Sequence, residues 1–248
     1  MGEVHPRALW YYFPVLLTIK LSLGVMLLAM MLLLLQPKSL LNWAVLASLV
    51  LLCFSFTFRV QIGIRMILPL VTLGLVGLAG AVVHTCRSWG YQWRSFSLVG
   101  STAAALVWLV ITAVNVWPHG LCYTNELWGN TAQGYLYVSD SNYDWGQGMK
   151  ELAQWQRDHQ VDNLDLWYFG LDPNADTLPG RRLAPDFVQQ NQLPSRFQPA
   201  MRGRFLAVSL TLLYGSYTPH LPDLITFLRS RPPVARTQTF FIYDFTDS

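Results

Sequence analysis

Four acids, a pair of glycines and five large aromatics crowd into residues 135–159, "YLYVSDSNYDWGQGMKELAQWQRDH". Asp140 and Asp144, with Asn142 and Trp145 between and beside them, are the residues here whose types could do chemistry. Two carboxylates on a strand–helix turn could serve as general acid and base. The same residues could instead cap a helix and favour its positive end, at about 0.3–1 kcal/mol each. Capping is the favoured reading, with Asp144 the foremost exception. Three cations stand out elsewhere. Lys20 lies inside an apolar run, while Arg59 and Arg65 flank the short polar segment "RVQIGIR". A guanidinium grips phosphate with a forked pair of hydrogen bonds, so these arginines could bind an anionic headgroup. Ordinary anchoring at a membrane face explains the same spacing equally well.

Other chemistries find no support. His119, His159 and His220 are isolated, and Cys53, Cys86 and Cys122 are too few and scattered for a disulfide framework or a zinc site. No CxxC, HExxH, Walker or GxGxxG pattern occurs, so neither a metal nor a cofactor is expected. The acidic half lacks a basic stripe, which argues against nucleic acid as a partner.

The elements that must position these residues divide between two solvents. The chain has 248 residues, 52% hydrophobic and only 12% charged, against roughly 25% charge in ordinary soluble domains. Residues 1–117 carry net +6, with Glu3 their only acid, and residues 118–248 carry net −3. A boundary is therefore expected near Trp117-Pro118. A spanning helix needs about 20 apolar residues, and four segments qualify: 12–35, 40–58, 66–83 and 96–117. Pro14 and Pro69 fall in first turns, where a missing N–H costs little. Aromatics such as Trp10, Trp89, Trp93 and Trp117 gather at segment ends, as interfacial residues do. Basic loop residues number three on each side, so they do not set the orientation. An uncompensated Lys20 at this depth would cost about 2.5–3.5 kcal/mol, which predicts either snorkelling to an interface or pairing with an anionic group.

Residues 118–133 read as a loop or short interfacial helix. Beyond them, "GYLYVSD", "LDLWYFG", "RFLAVSLTLLYG" and "RTQTFFIYDF" read as strands by their aromatic and β-branched content. A helix after residue 144 with Leu152 and Trp155 on one face, and another over "LPDLITFLRS", complete the set. A Pro/Gly/Asp turn occupies 170–180, and residues 180–200 are expected to lie extended over the surface. The order β-α-β, loop, β-α-β predicts a small α/β domain over 118–248. The fold class is thus a membrane α-helical region of about four spans, residues 1–117, followed by an α/β domain.

Several stretches taken together, "WYYFPVLLTIKLSL", "FTFRVQIGIRMILPL", "YTNELWGN", "SDSNYDWGQGMKELAQW", "WYFGLDP" and "RPPVARTQTFFIYDF", resemble the C-terminal half of the GT-C membrane glycosyltransferases. These are the enzymes related to protein O-mannosyltransferases and lipid A aminoarabinose transferases. The resemblance runs in order from residue 9 to the end. It implies a polyprenyl-phosphate-linked sugar as donor and a place in the plasma (inner) membrane with the α/β domain extracytoplasmic. It also implies that both termini and the "RVQIGIR" hairpin lie on that side. Arg59 and Arg65 become carrier-phosphate contacts, Lys20 a cation lining the cavity below, and Asp140, Asn142, Asp144 and Trp145 an acceptor or structural loop. Met66 departs from the polar or aromatic residue often found there in the family. The family's catalytic acid sits in a first extracytoplasmic loop, and no acid lies between Glu3 and Glu126 here. The expectation is therefore a C-terminal portion whose partner is a missing N-terminal half or a companion subunit. A competing expectation is a non-catalytic, membrane-anchored binding or assembly module with an α/β head. A transporter fragment is weaker, since the sequence shows no pair of broken helices.

Overall fold

The computed structural model describes residues 9–176 and 180–246. Glu3 and Arg7 lie outside these, as does part of the 170–180 turn. The chain divides into two compact units that meet in sequence between Thr131 and Ala132. That point lies beyond the expected Trp117-Pro118 boundary, because residues 118–131 pack within the helical unit.

The helical unit contains α1 (Tyr12–Lys20), α2 (Leu23–Leu35), α3 (Trp43–Ser55), α4 (Leu68–Trp89) and α5 (Trp93–Val116). A 3-10 turn over Ile64–Ile67 leads into α4, so that the stretch Ile64–Trp89 and α5 are each long and apolar enough to cross a membrane. The segment expected as one helix over 12–35 is instead two, α1 and α2, bent by 111° at Leu21-Ser22. Counting this bent pair as one span brings the total to three. The α3 helix has 13 residues, about 20 Å of rise, which is short of the ~30 Å hydrocarbon layer.

Pairing of α3 with α4 rests on small and polar residues. Asn42 caps α3 by accepting from the Val45 N–H at 3.1 Å, and its Nδ2 donates to the Gly77 carbonyl at 2.9 Å. Ser48 Oγ donates to the Leu70 carbonyl at 2.8 Å. Gly77 is required by this approach, since a Cβ there would stand 2.5 Å from Val45 Cγ2. Large apolar side chains such as Leu34, Val50, Val110 and Val114 are exposed on the outside of the bundle. Trp10, Trp93 and Trp117 sit at helix ends and are exposed, as the aromatic-belt reading expects.

After a four-residue turn, α6 (Asn130–Gln133), the second unit follows with α7 (Met149–Asp158), β1 (Leu164–Trp167), α8 (Pro185–Gln190) and α9 (Pro194–Ala200). It closes with β2 (Phe205–Ser209), α10 (Leu210–Tyr214), α11 (Pro222–Ser230), β3 (Ala235–Arg236) and β4 (Phe240–Asp244). The strands form one mixed sheet in the order β1-β2-β4-β3. β1 and β2 are parallel, with Leu164 opposite Phe205, while β2–β4 and β3–β4 are antiparallel. Residues 181–183 shield the outer edge of β1 through bonds between Leu166 and the Arg181 carbonyl and the Leu183 N–H. One face packs Met149 and Leu152 of α7 against Leu164, Leu166, Ala207, Phe240 and Ile242, with Trp155 alongside. The other face carries Phe241, ringed by Tyr135 at 5.4 Å and Tyr214 at 6.2 Å.

Three local expectations change. "GYLYVSD" is a pair of 3-10 turns over Gly134–Leu136 and Asp140–Asn142, since its aromatics pack on the sheet from outside without joining the ladder. Residues 180–200 hold the short helices α8 and α9, each opened by a proline at its first position, where the ring presets the helical φ. "RFLAVSLTLLYG" leaves the sheet at Ser209 and turns helical as α10.

Candidate functional site

In the helical unit one cluster of polar side chains lies at the elbow between α1 and α2. Ending α1 at Lys20 leaves its last carbonyls without intrahelical donors. A residue far along the chain supplies them: the Asn125 N–H donates to the Ile19 carbonyl at 3.0 Å. Its Nδ2 donates to those of Thr18 at 2.7 Å and Leu21 at 2.8 Å. Lys20 answers in the other direction, its Nζ donating to the carbonyls of Leu121 at 3.0 Å and Tyr123 at 2.6 Å. In these contacts the cation closes a reciprocal clasp, at a helix C-terminus that favours positive charge. Ser22 Oγ, the Tyr123 hydroxyl and Glu126 Oε2 are buried beside it without a well-formed hydrogen bond. Burial and the Glu126 charge raise Tyr123 above its usual value, while the Ser22 hydroxyl opposes them. The break makes this one broken helix where the sequence reads as a single span over 12–35.

Arg59 and Arg65 are both exposed, on the hairpin between α3 and α4. Gln61, between them, is bonded both ways to Leu9, accepting its N–H at 3.0 Å and donating to its carbonyl at 2.6 Å. The hairpin is therefore pinned where α1 begins, whereas Lys20 lies at the other end of α1, about 13 Å along its axis. The two arginines share a hairpin, and Lys20 belongs to the elbow.

A groove of about 380 Å³ opens between α2 and α5, lined by Leu23, Gly24, Leu28, Ala105 and Trp108 among others. Its close floor depends on Gly24, whose Cβ would meet the Ala105 backbone at 3.1 Å.

In the second unit, the acidic stretch does not cap a helix. α7 begins at Met149 behind Gly148, with no side-chain cap, and Asp140 and Asp144 both precede it by a turn or more. Asp140 takes a left-handed conformation (φ 56°), its N–H donating to Thr211 Oγ1 at 3.2 Å. Asn142 is buried in the same 3-10 turn. Asp144 is fully buried. Its Oδ1 accepts from the Gly146 N–H at 2.9 Å, and its carbonyl accepts from Thr211 Oγ1 at 3.2 Å. Burial pushes its carboxyl up to about 7, against the smaller opposing pull of the Gly146, Thr211 and Ser209 contacts. Oδ2 makes no well-formed hydrogen bond among the described residues, although the Ser209 hydroxyl stands near enough to lower the acid.

This turn is bolted to the ends of three strands. Tyr168, just past β1, donates its hydroxyl to the Gly146 carbonyl at 2.6 Å. The Phe169 N–H donates to Ser209 Oγ at the end of β2, at 2.9 Å. A Cβ on Gly148 would overlap Thr239, just before β4. Trp145 remains 52% exposed, and its ring meets Phe169 at 5.9 Å; Phe169 in turn meets the exposed Tyr217 at 4.6 Å. A buried carboxyl raised toward neutral pH and a partly exposed aromatic cluster lie at the C-terminal ends of the two parallel strands, where open sheets with parallel strands place ligand crevices.

Sequence reasoning missed Asp165 on β1. It is fully buried and receives Arg181 at 2.8 Å and Arg204 at 2.6 Å, one on each carboxylate oxygen. An acid at the second position of an apolar strand, "LDLW", was the available signal. It also missed Asn125, a polar residue in an unremarkable loop. Among the described residues no group of three or more His, Cys, Asp or Glu side chains could hold a metal ion. No family model, curated protein or solved structure matches the chain.

Proposed function

We propose that this chain is the C-terminal portion of a polyprenyl-phosphate-sugar-dependent membrane glycosyltransferase. Its helices cross the plasma membrane four times, with α1–α2 counted as one crossing and α3 as another, and the α/β unit faces the extracytoplasmic side. An acid supplied from a companion segment deprotonates the acceptor, which attacks the anomeric carbon of the carrier-linked sugar. Arg59 and Arg65 stabilise the departing lipid phosphate with preorganised positive charge. The apolar groove between α2 and α5 accommodates isoprene units of the carrier.

The observation that carries this reading is the placement of two exposed arginines on one pinned hairpin of an apolar helical unit. Both guanidiniums are solvent-exposed, and a guanidinium binds phosphate with a forked pair of hydrogen bonds. The test is photo-crosslinking of a polyprenyl phosphate to the full chain in its native membrane. Arg59→Glu and Arg65→Glu should each lower capture about ten- to hundredfold, the worth of one charge-assisted hydrogen bond or two. Capture unchanged by both would remove the carrier reading.

The second reading, a membrane-anchored binding or assembly module, is favoured by the lack of any acid between Glu3 and Glu126. Intact mass of the native protein separates the two. A mass near 28.2 kDa, with no companion co-purifying, supports the module; a longer chain or a tight companion bearing an acidic loop supports the transferase.

A further inference from the structure

The exposed rings of Trp145 and Tyr217 are joined through the half-buried ring of Phe169, and hydrogen bonds hold the backbone that carries them. The Trp145 N–H is fixed to Gln147 Oε1 at 2.7 Å, and the Phe169 N–H to Ser209 Oγ at 2.9 Å. Gly146, between them in space, is in the left-handed region (φ 89°), and a Cβ there would stand 2.7 Å from the Tyr168 hydroxyl. The rings tilt by 70° and 48° to their neighbours, forming a shallow bent ledge and not a flat stack. Charged groups lie beside the backbone that carries Phe169. Arg182 lies over the Tyr168 ring at 5.5 Å and donates to the Gly170 carbonyl at 3.2 Å, and the Asp172 carboxylate acts on the same tyrosine.

We propose that this ledge is a binding site for the sugar rings of an acceptor oligosaccharide. A pyranose has an apolar C–H face and an edge of hydroxyls, so it needs aromatic faces flanked by hydrogen-bonding groups. Trp145, Phe169 and Tyr217 provide the faces; Arg182 and Asp172 provide donor and acceptor. A lipid surface fits less well, because seating the rings in a membrane would carry the Asp172 carboxylate toward anionic headgroups. A protein partner fits less well by size. Three aromatic side chains offer roughly 150–250 Å² each when fully covered, short of the ~800 Å² per side of a standard interface. Most of Tyr217 and nearly half of Trp145 are already covered by the fold.

This assignment rests on the transferase reading for its ligand class, but the two fail separately, because the carrier hairpin and the ledge lie in different units. The experiment uses the full chain in lipid nanodiscs, labelled with 5-fluorotryptophan and observed by fluorine NMR. The Trp145 resonance is identified by its loss in Trp145→Phe. Maltohexaose and chitohexaose are the probes. At least one should shift the Trp145 signal saturably, and Tyr217→Ala should weaken that sugar's binding about five- to tenfold. Arg59→Glu and Arg65→Glu should leave the shift intact even where they abolish carrier capture. Silence toward both sugars overturns the ledge, as does a shift that Tyr217→Ala leaves undiminished. Broadening of the Trp145 signal by nitroxide-headgroup lipid, with no sugar response, reassigns the rings to the membrane surface.

Discussion

Asp144 and Asp165 are two buried carboxyls in one small unit, and their surroundings set them opposite tasks. Asp165 receives two guanidiniums, one on each oxygen, that are 46% and 33% exposed. Breaking a fully buried pair costs about 3–5 kcal/mol; partial solvation of both arginines lowers the expectation for Asp165→Ala to about 2 kcal/mol. Chemical denaturation of the second unit measures it. Asp144 meets only neutral groups, and burial raises it to about 7 from 3.8. Between those values the folded chain binds more protons than the unfolded one. Stability from this group is therefore complete below about pH 4, falls as pH rises, and levels off above about pH 7. Asp144→Asn keeps the shape without the titration. Its unfolding midpoint should exceed that of the parent at pH 8, and the gap should narrow as pH falls and close below about pH 4. A gap that widens toward acid pH would show Asp144 to be an anion in the folded state.

The elbow between α1 and α2 is held by side chains from more than a hundred residues away. Asn125 satisfies three carbonyls at the end of α1. Asn125→Ala strands the Thr18 and Leu21 carbonyls in an apolar setting and should cost about 2–3 kcal/mol. Hydrogen exchange across residues 18–26 should speed up, while α4 keeps its protection. Equal acceleration in both places would mean that the elbow has no local role. The α3–α4 contact depends on Gly77 in a different way, through space. Gly77→Leu drives a side chain into Val45 and should cost about 1–3 kcal/mol by parting the two helices. A cysteine pair across this interface, read by disulfide yield, should fall in that variant.

Each of the two units carries its own core. Leu152, Leu164, Ala207, Phe240 and Ile242 are all essentially inaccessible within the second, and residues 181–183 cover its outer parallel strand. A core complete in itself predicts that residues 132–248 expressed alone fold cooperatively, with a single denaturant transition and mixed helix–strand circular dichroism. Residues 9–131 should instead require lipid or detergent, because their exposed surface is leucine, valine and tryptophan. A molten second unit would mean that it needs the helices to complete its core.

Composition and period were enough for the broad division of the chain: apolar runs of helical length in the first half, alternating aromatic and β-branched strands in the second. Each rests on burial averaged over many residues, which local sequence carries directly. The strands at Leu164 and Phe240, the helix at Pro222 and the Leu152–Trp155 face were legible for that reason. Long-range pairing decided the rest. Whether 12–35 is one helix or two turned on Asn125, and the fate of Lys20 on two carbonyls in the same loop. "GYLYVSD" has strand composition but no strand beside it, so it coils. Asp144 has the composition of a helix cap, and becomes a buried acid because the ends of β1 and β2 close over it. A propensity is a property of neighbours in the chain; the solvent, charge and hydrogen-bond partners of a side chain belong to neighbours in space.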